Sequence, residues 1–128
     1  MLVVLAEARF DASQMDKVRA VARPMIEASR AEAGCAGYDY AVDMLEPDLM
    51  RVRELWRDEQ ALKDHFATPH MAAFLKGLRE LRPVSVTVTC YELGPERKMP
   101  NASWSSGPRA SCALMNHERA RSSRSGRA

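Results

Sequence analysis

The sequence has few of the features that would crosslink a chain or anchor it in a membrane, and each shortage excludes a class of protein. Three cysteines occur among 128 residues, and none forms a C-x-x-C pair, so we expect free thiols and no disulfide framework. No run approaches the ~18 apolar residues that span a bilayer. Residues 1–5 are apolar but too few for a signal peptide. Together these shortages favour a cytoplasmic protein.

Charge divides the chain into two parts. The formal net charge is +2, with −3 on residues 1–94 and +5 on residues 95–128. Beyond residue 94 hydrophobic periodicity ends and Ser, Arg, Ala, Gly and Pro dominate, a composition typical of disorder. We therefore predict one domain over 1–94 and a basic, disordered tail over 95–128 that folding does not need, in which Trp104, Leu114 and Met115 are the only residues that could dock it. Arginines among serines favour a solvated end over nucleic-acid binding.

Hydrophobic periodicity predicts the element order β-α-β-β-α-β, with the second helix broken in two. The strands are predicted at 2–10, 35–43, 49–57 and 84–93, and the helices at 14–31, 59–66 and from 69 to the Arg82-Pro83 pair. Pro24 should kink the first helix, and Gly34 should end it in a left-handed conformation. This order is the ferredoxin-like split βαβ unit, an α+β fold with helices on one face of a four-stranded antiparallel sheet.

The other face of this sheet is predicted to be too apolar for water. We place Ala8, Phe10, Leu55 and Tyr91 on it. An exposed apolar face of that size usually marks a partner surface.

Candidate catalytic residues concentrate between residues 53 and 74. Glu54 and Trp56 share one strand face because strand side chains alternate, and His65 and His70 flank the helix break. A carboxylate on an inward face needs a partner, and we expect it to be His65 or His70. This Glu–His pair is either a structural contact or a catalytic base whose pKa is shifted by its neighbours. Zinc is not expected, since the two histidines lack His-x-x-x-His spacing and no third strong ligand is visible.

Aromatic residues supply the candidate substrate-binding positions. Trp56 is either a large core residue or a pocket wall on which a flat ring stacks. Tyr38 and Tyr40 offer hydroxyl groups to a substrate. Phe66 and Phe74 complete the set, and we expect the second helix to bury Phe66, with Leu62, against the sheet.

Several of these residues form an ordered set. Glu54-x-Trp56, Ala61-Leu62-x-x-His65, Thr68-Pro69-His70 with Phe74, and the upstream Glu32-Ala33-Gly34-Cys35-x-x-Tyr38 resemble the antibiotic-biosynthesis monooxygenase family, which includes the quinol monooxygenases. The resemblance covers about residues 1–93. It implies a dimeric α+β barrel, in which two sheets pack face to face as a homodimer.

The resemblance also implies a reaction: cofactor-independent oxidation of a quinol, polyphenol or polyketide-like molecule by O2. No metal or flavin takes part, and the absence of a Gly-rich phosphate loop agrees with this. The implied partners are a small aromatic substrate and O2, without nucleic acid or membrane. Some family members degrade haem, but the required Asn and late-helix His are missing here, although Trp56 matches.

The chemistry is physically reasonable because a deprotonated quinol is electron-rich and can pass one electron to oxygen unaided. The protein then needs a base, an apolar pocket and exclusion of water. His65 or His70 suits the base role near neutral pH. Two alternatives remain open: a small-molecule isomerase, or a non-catalytic dimeric ligand-binding protein of the same fold.

Overall fold

A computed structural model describes residues 1–100, and its element order confirms the predicted α+β fold. The predictions for the tail beyond residue 100, including docking by Trp104, Leu114 and Met115, lie outside the described residues. Met1–Leu93 forms one compact unit. The elements are β1 (Leu2–Arg9), a 3-10 turn (Ala12–Gln14), α1 (Met15–Arg30), β2 (Cys35–Val42), β3 (Leu49–Trp56), α2 (Glu59–Phe66), α3 (Pro69–Leu81) and β4 (Ser85–Glu92). Within residues 1–100, no helix is long and apolar enough to cross a membrane.

The four strands form one antiparallel sheet in the order β2-β3-β1-β4. Val4 of β1 lies opposite Glu54 of β3 and Cys90 of β4, and Tyr38 of β2 lies opposite Glu54 on its other side. Directly paired residues share a face, so these four side chains all point toward the helices. The sheet thus carries the predicted site residues of β2 and β3 into the interior.

Short side chains at the helix ends fix the break between α2 and α3. The Asp58 carboxylate accepts from Ala61 N at 2.8 Å and caps α2. Thr68 caps α3 by accepting from Met71 N at 3.3 Å, and Pro69 occupies the first turn, where its missing N–H costs nothing. The Thr68 hydroxyl also donates to the His65 carbonyl at 2.6 Å. These bonds confirm the predicted break and hold the end of α2 against the start of α3.

Gly34 has a different role from the predicted one. Helix α1 is continuous through Pro24 and ends at Ala31 in a right-handed conformation, and no glycine within residues 1–100 has a positive φ. The left-handed prediction is therefore wrong. A Cβ on Gly34 would lie 2.3 Å from the Cβ of Ala61. Gly34 is needed because α2 approaches the start of β2 too closely for any side chain.

Of the four residues predicted to lie on the open sheet face, two lie on it and two do not. Ala8 and Phe10 are buried on the helix side, because Ala8 is paired with the buried Met50. Leu55 and Tyr91 do lie on the open face, opposite Val3 of β1.

Farther along β1 this face carries paired charges. Arg51 forms ion pairs with Glu7 and, at 3.0 Å, with Asp43, and Arg53 pairs with Asp39. The open face therefore has an apolar end and a charged end.

Substituting Gly34 tests the close approach of α2. Gly34→Ala should lower the free energy of unfolding by about 1–3 kcal/mol, the usual cost of overpacking, measured by urea denaturation. Gly37→Ala is the control, since its Cβ would meet Leu55 at an ordinary 3.4 Å. Equal stability of the two variants would contradict the proposed role of Gly34.

Candidate functional site

The end of β3 places a carboxylate beside an indole in the interior. Trp56 is 0% exposed, and its Nε1–H donates to Glu54 Oε2 at 2.9 Å. The prediction that Glu54 pairs with an imidazole of His65 or His70 is therefore wrong. The indole N–H reaches the carboxylate because strand alternation places Glu54 and Trp56, which are two residues apart, on the same face.

Both imidazoles bind a different carboxylate, that of Glu32 in the loop between α1 and β2. His65 Nδ1 lies 2.7 Å and His70 Nε2 lies 3.0 Å from the same oxygen, Glu32 Oε2. An ionised carboxylate has no proton to give, so each ring N–H donates to it. The sequence offered a signal for Glu32, because it begins the Glu32–Tyr38 motif, but spacing alone gave it no role.

His65 is held at the centre of the aromatic cluster. Its side chain is 1% exposed, and its ring centroid lies 4.5 Å from that of Trp56 and 5.5 Å from that of Tyr38. Nε2 is buried and has no hydrogen-bond partner among the described residues. When Nδ1–H donates to Glu32, the neutral form of the ring has an unprotonated Nε2 in the interior. An imidazole oriented in this way by a carboxylate has the arrangement of a general base.

A line of hydroxyl groups leads from Glu54 along β2. The Tyr38 hydroxyl lies 3.2 Å from that of Tyr40, and Tyr38 is paired with Glu54 across β2 and β3. Burial raises the pKa of Glu54, while the hydrogen bond from Trp56, the charge of His65 and Tyr38 oppose the shift. Burial likewise raises the pKa of Tyr40 to about 12. Both tyrosines are therefore neutral hydroxyl groups at physiological pH.

Tyr40 connects this line to a cavity of about 320 Å³ between α1 and the strands β2 and β3. Its walls are mainly apolar and its rim carries charged side chains. The lining residues are Met15, Val18, Arg19, Ala22, Arg23, Ile26, Glu27, Arg30, Tyr40, Ala41, Val42 and Met50. Of the predicted site residues, Tyr40 is the one that lines this cavity. Glu54, Trp56, His65 and Tyr38 pack against one another behind it.

The two phenylalanines differ in position. Phe74 is buried, and its ring lies edge-on to Tyr40 with centroids 6.0 Å apart. Phe66 is 59% exposed, so the prediction that α2 buries it is wrong. The buried face of α2 is formed by Ala61, Leu62 and His65. At 3.6 residues per turn, Phe66 lies roughly 90° away from the centre of that face.

Fold and site together define a ferredoxin-like α+β domain that encloses titratable and aromatic side chains beneath its helices. The profile of the antibiotic biosynthesis monooxygenase family matches residues 1–77 of this chain. The chain belongs to that family, which is of the monooxygenase type.

Individual relatives agree with this assignment. YcnE of Bacillus subtilis, a provisionally named monooxygenase, is 30% identical over 93 residues, covering 73% of this chain and 98% of YcnE. The uncharacterised protein sll1783 of Synechocystis is 27% identical over 92 residues, which are 72% of this chain, and the match spans 63% of that relative's length. A provisionally assigned antibiotic biosynthesis monooxygenase from Deinococcus radiodurans has the same fold, with a TM-score of 0.73 at 23% identity, over 78% of this chain and 99% of that one.

The raised pKa of Glu54 predicts a pH-dependent effect of Glu54→Gln. The folded state binds this proton more tightly than the unfolded chain, so the contribution to stability is present at low pH. It is lost as the pH rises from the unfolded pKa through the folded pKa. The stability of Glu54→Gln relative to the parent should therefore rise with pH over this window and then level off, as measured by urea denaturation.

Glu59→Gln is the control for this measurement. Its carboxylate is exposed, and the hydrogen bond from Lys63 lowers its pKa, so its pH trend should have the opposite sign. A pH-independent difference between Glu54→Gln and the parent would contradict the raised pKa.

Proposed function

We propose that this protein is a cofactor-independent monooxygenase that oxidises a quinol or related polyphenol with O2. Membership of a monooxygenase-type family supports the reaction class. The observation that carries the proposal further is that the Tyr40 hydroxyl at the cavity wall contacts the Tyr38 hydroxyl, and that Tyr38 is paired across the sheet with Glu54, whose carboxylate is half-buried. Such a line can take a proton from a phenolic substrate without exposing the base to water.

The cavity suits a small aromatic ligand. Its volume of about 320 Å³ is at the lower end of the range for ligand sites, and mostly apolar walls with one polar contact are typical of them. In this proposal the substrate ring lies in the cavity with its hydroxyl directed at Tyr40.

The pKa shifts of Tyr38, Tyr40 and Glu54 indicate how a proton moves along this path. Tyr38 and Tyr40 resist ionisation because burial raises the pKa of both. Each hydroxyl accepts a proton from one neighbour and donates its own proton to the other, so neither tyrosine becomes an anion. Glu54 receives the proton, and its raised pKa brings its basicity closer to neutral pH, where a general base is most effective.

The oxidation then needs no cofactor. The quinol anion gives one electron to O2, and the semiquinone radical combines with superoxide and a proton to form a hydroperoxide. Loss of water from the hydroperoxide leaves one oxygen atom in the product as a carbonyl. The apolar walls of the cavity limit the access of water to the radical pair.

His65 is a second candidate base, favoured by its unpartnered Nε2. In that version Glu32 orients the ring, and His70, which is partly exposed, exchanges protons with solvent. The prediction that His65 or His70 is the catalytic base thus stays a proposal, beside the proposal that Glu54 is the base.

Oxygen consumption with a panel of quinols, in the presence of EDTA, tests the proposal. The parent should consume O2, and Glu54→Gln and Tyr40→Phe should each lower kcat by ~10²-fold, the usual scale for losing general-base catalysis. Glu59→Gln, which neutralises an exposed carboxylate on α2, is the control and should leave kcat unchanged.

Further variants separate the two bases. If His65 is the base, His65→Gln lowers kcat by ~10²-fold and Glu54→Gln does not. In both versions Trp56→Ala should mainly raise KM. No O2 uptake with any quinol, together with exchange of substrate C–H protons, would show an isomerase instead.

We also propose that two copies associate through the open sheet face, in the cytoplasm. The apolar end of that face is formed by Val3, Leu5, Leu55 and Tyr91, and Leu5 and Tyr91 are exposed in the single chain. A contiguous apolar surface of this kind is typical of an interface.

A charge on this apolar end should prevent the association. The parent should have the mass of a dimer by light scattering at micromolar concentration, and Leu5→Arg that of a monomer, because the interface cannot accommodate an unpaired charge. The control is Leu45→Arg in the turn between β2 and β3, where Leu45 is already exposed. A monomeric parent would overturn the proposal.

A further inference from the structure

Three side chains that commonly bind metal ions converge beside the helix break. They are Glu32 from the loop after α1, His65 from the last turn of α2, and His70 from the first turn of α3. One ligand atom from each lies within 4.8 Å of the other two. The sequence-based argument against a metal depended on the lack of a third strong ligand. Glu32 is that third ligand, brought in from 33 residues before His65.

We infer that Glu32, His65 and His70 form a binding site for one divalent transition-metal ion, with Zn²⁺ as the best fit. Two imidazoles and one carboxylate are a donor set that Zn²⁺ accepts readily. Ca²⁺ and Mg²⁺ need several oxygen ligands. The three side chains leave room for a fourth ligand from solvent, because Glu32 and His70 are partly exposed.

To accept the ion, the two ring nitrogens, which lie within 4.8 Å of each other, must come to the same spacing from one another as from the shared oxygen. The shared oxygen lies 2.7 Å from His65 Nδ1 and 3.0 Å from His70 Nε2. Ligands of tetrahedral Zn²⁺ at 2.0–2.1 Å are separated by roughly 3.3 Å. The ion would replace the two protons that the imidazoles share with Glu32, and the two ring nitrogens would move away from the shared oxygen by a few tenths of an ångström.

The backbone around the site is held in place without the ion. Thr68 bonds the His65 carbonyl and caps the helix that carries His70. The close contact between Gly34 and Ala61 keeps the Glu32 loop against α2. Binding therefore costs little ordering of the chain, and an ion bound to three separate segments would stabilise the folded state. The site shares no residue with the Tyr40–Tyr38–Glu54 line, so the inference does not depend on the proposed reaction.

Calorimetric titration of Zn²⁺ into the EDTA-treated, dialysed full-length protein tests the site. We expect one saturable site per chain, a higher Tm with Zn²⁺, and a visible d–d absorption band with Co²⁺ as the spectroscopic probe. Glu32→Gln and His70→Ala should each weaken Zn²⁺ binding by more than ~10-fold, since even losing a supporting residue costs that much. His65 is fully buried, so its substitution is avoided.

The controls remove the other Zn²⁺ ligands of the chain. His117→Ala and a Cys35→Ser/Cys90→Ser/Cys112→Ser triple variant should keep the parent affinity and the Co²⁺ band. Absence of saturable binding would overturn the inference. So would unchanged affinity in both Glu32→Gln and His70→Ala, provided that circular dichroism shows them folded, or a loss confined to the His117 or cysteine variants.

Discussion

A single carboxylate oxygen determines the geometry of the interior. Glu32 Oε2 accepts from both imidazoles, at 2.7 Å and 3.0 Å, and thereby joins the loop after α1 to the end of α2 and the start of α3. The His65 side of this bond is buried, where an unsatisfied partner would cost about 1–3 kcal/mol. The orientation of the His65 ring against Trp56 follows from it.

Trp56 separates two polar networks that approach from opposite sides. Its indole N–H donates to Glu54, which is part of the network with Tyr38 and Tyr40. Its ring packs on His65, which is part of the network with Glu32. One network reaches the cavity between α1 and the sheet, and the other reaches the surface at His70. The proposed reaction needs both a base and a route for protons to leave, and the two networks contain candidate groups for each.

The sequence predicted the fold because the hydrophobic residues of each element recur with a clear period. The bounds of α2 were predicted correctly because Asp58 caps α2 and Thr68 caps the helix that follows it. From the same period, the sequence predicted which residues face inward on β2 and β3. It did not predict the pairing of carboxylates with imidazoles, since Glu32 meets His70 across 38 residues and such contacts leave no local pattern. The errors at Gly34 and Phe66 have a similar origin, because a close approach and a helix rotation are set by packing.

The most direct test of this account is the protonation of His65, measured by long-range ¹H–¹⁵N correlation on ¹⁵N-histidine-labelled, metal-free protein near neutral pH. Glu32 as acceptor requires a proton on Nδ1 of His65, and in Glu32→Gln this preference should weaken. A proton on Nε2 with Nδ1 bare would contradict the arrangement from which the site is built.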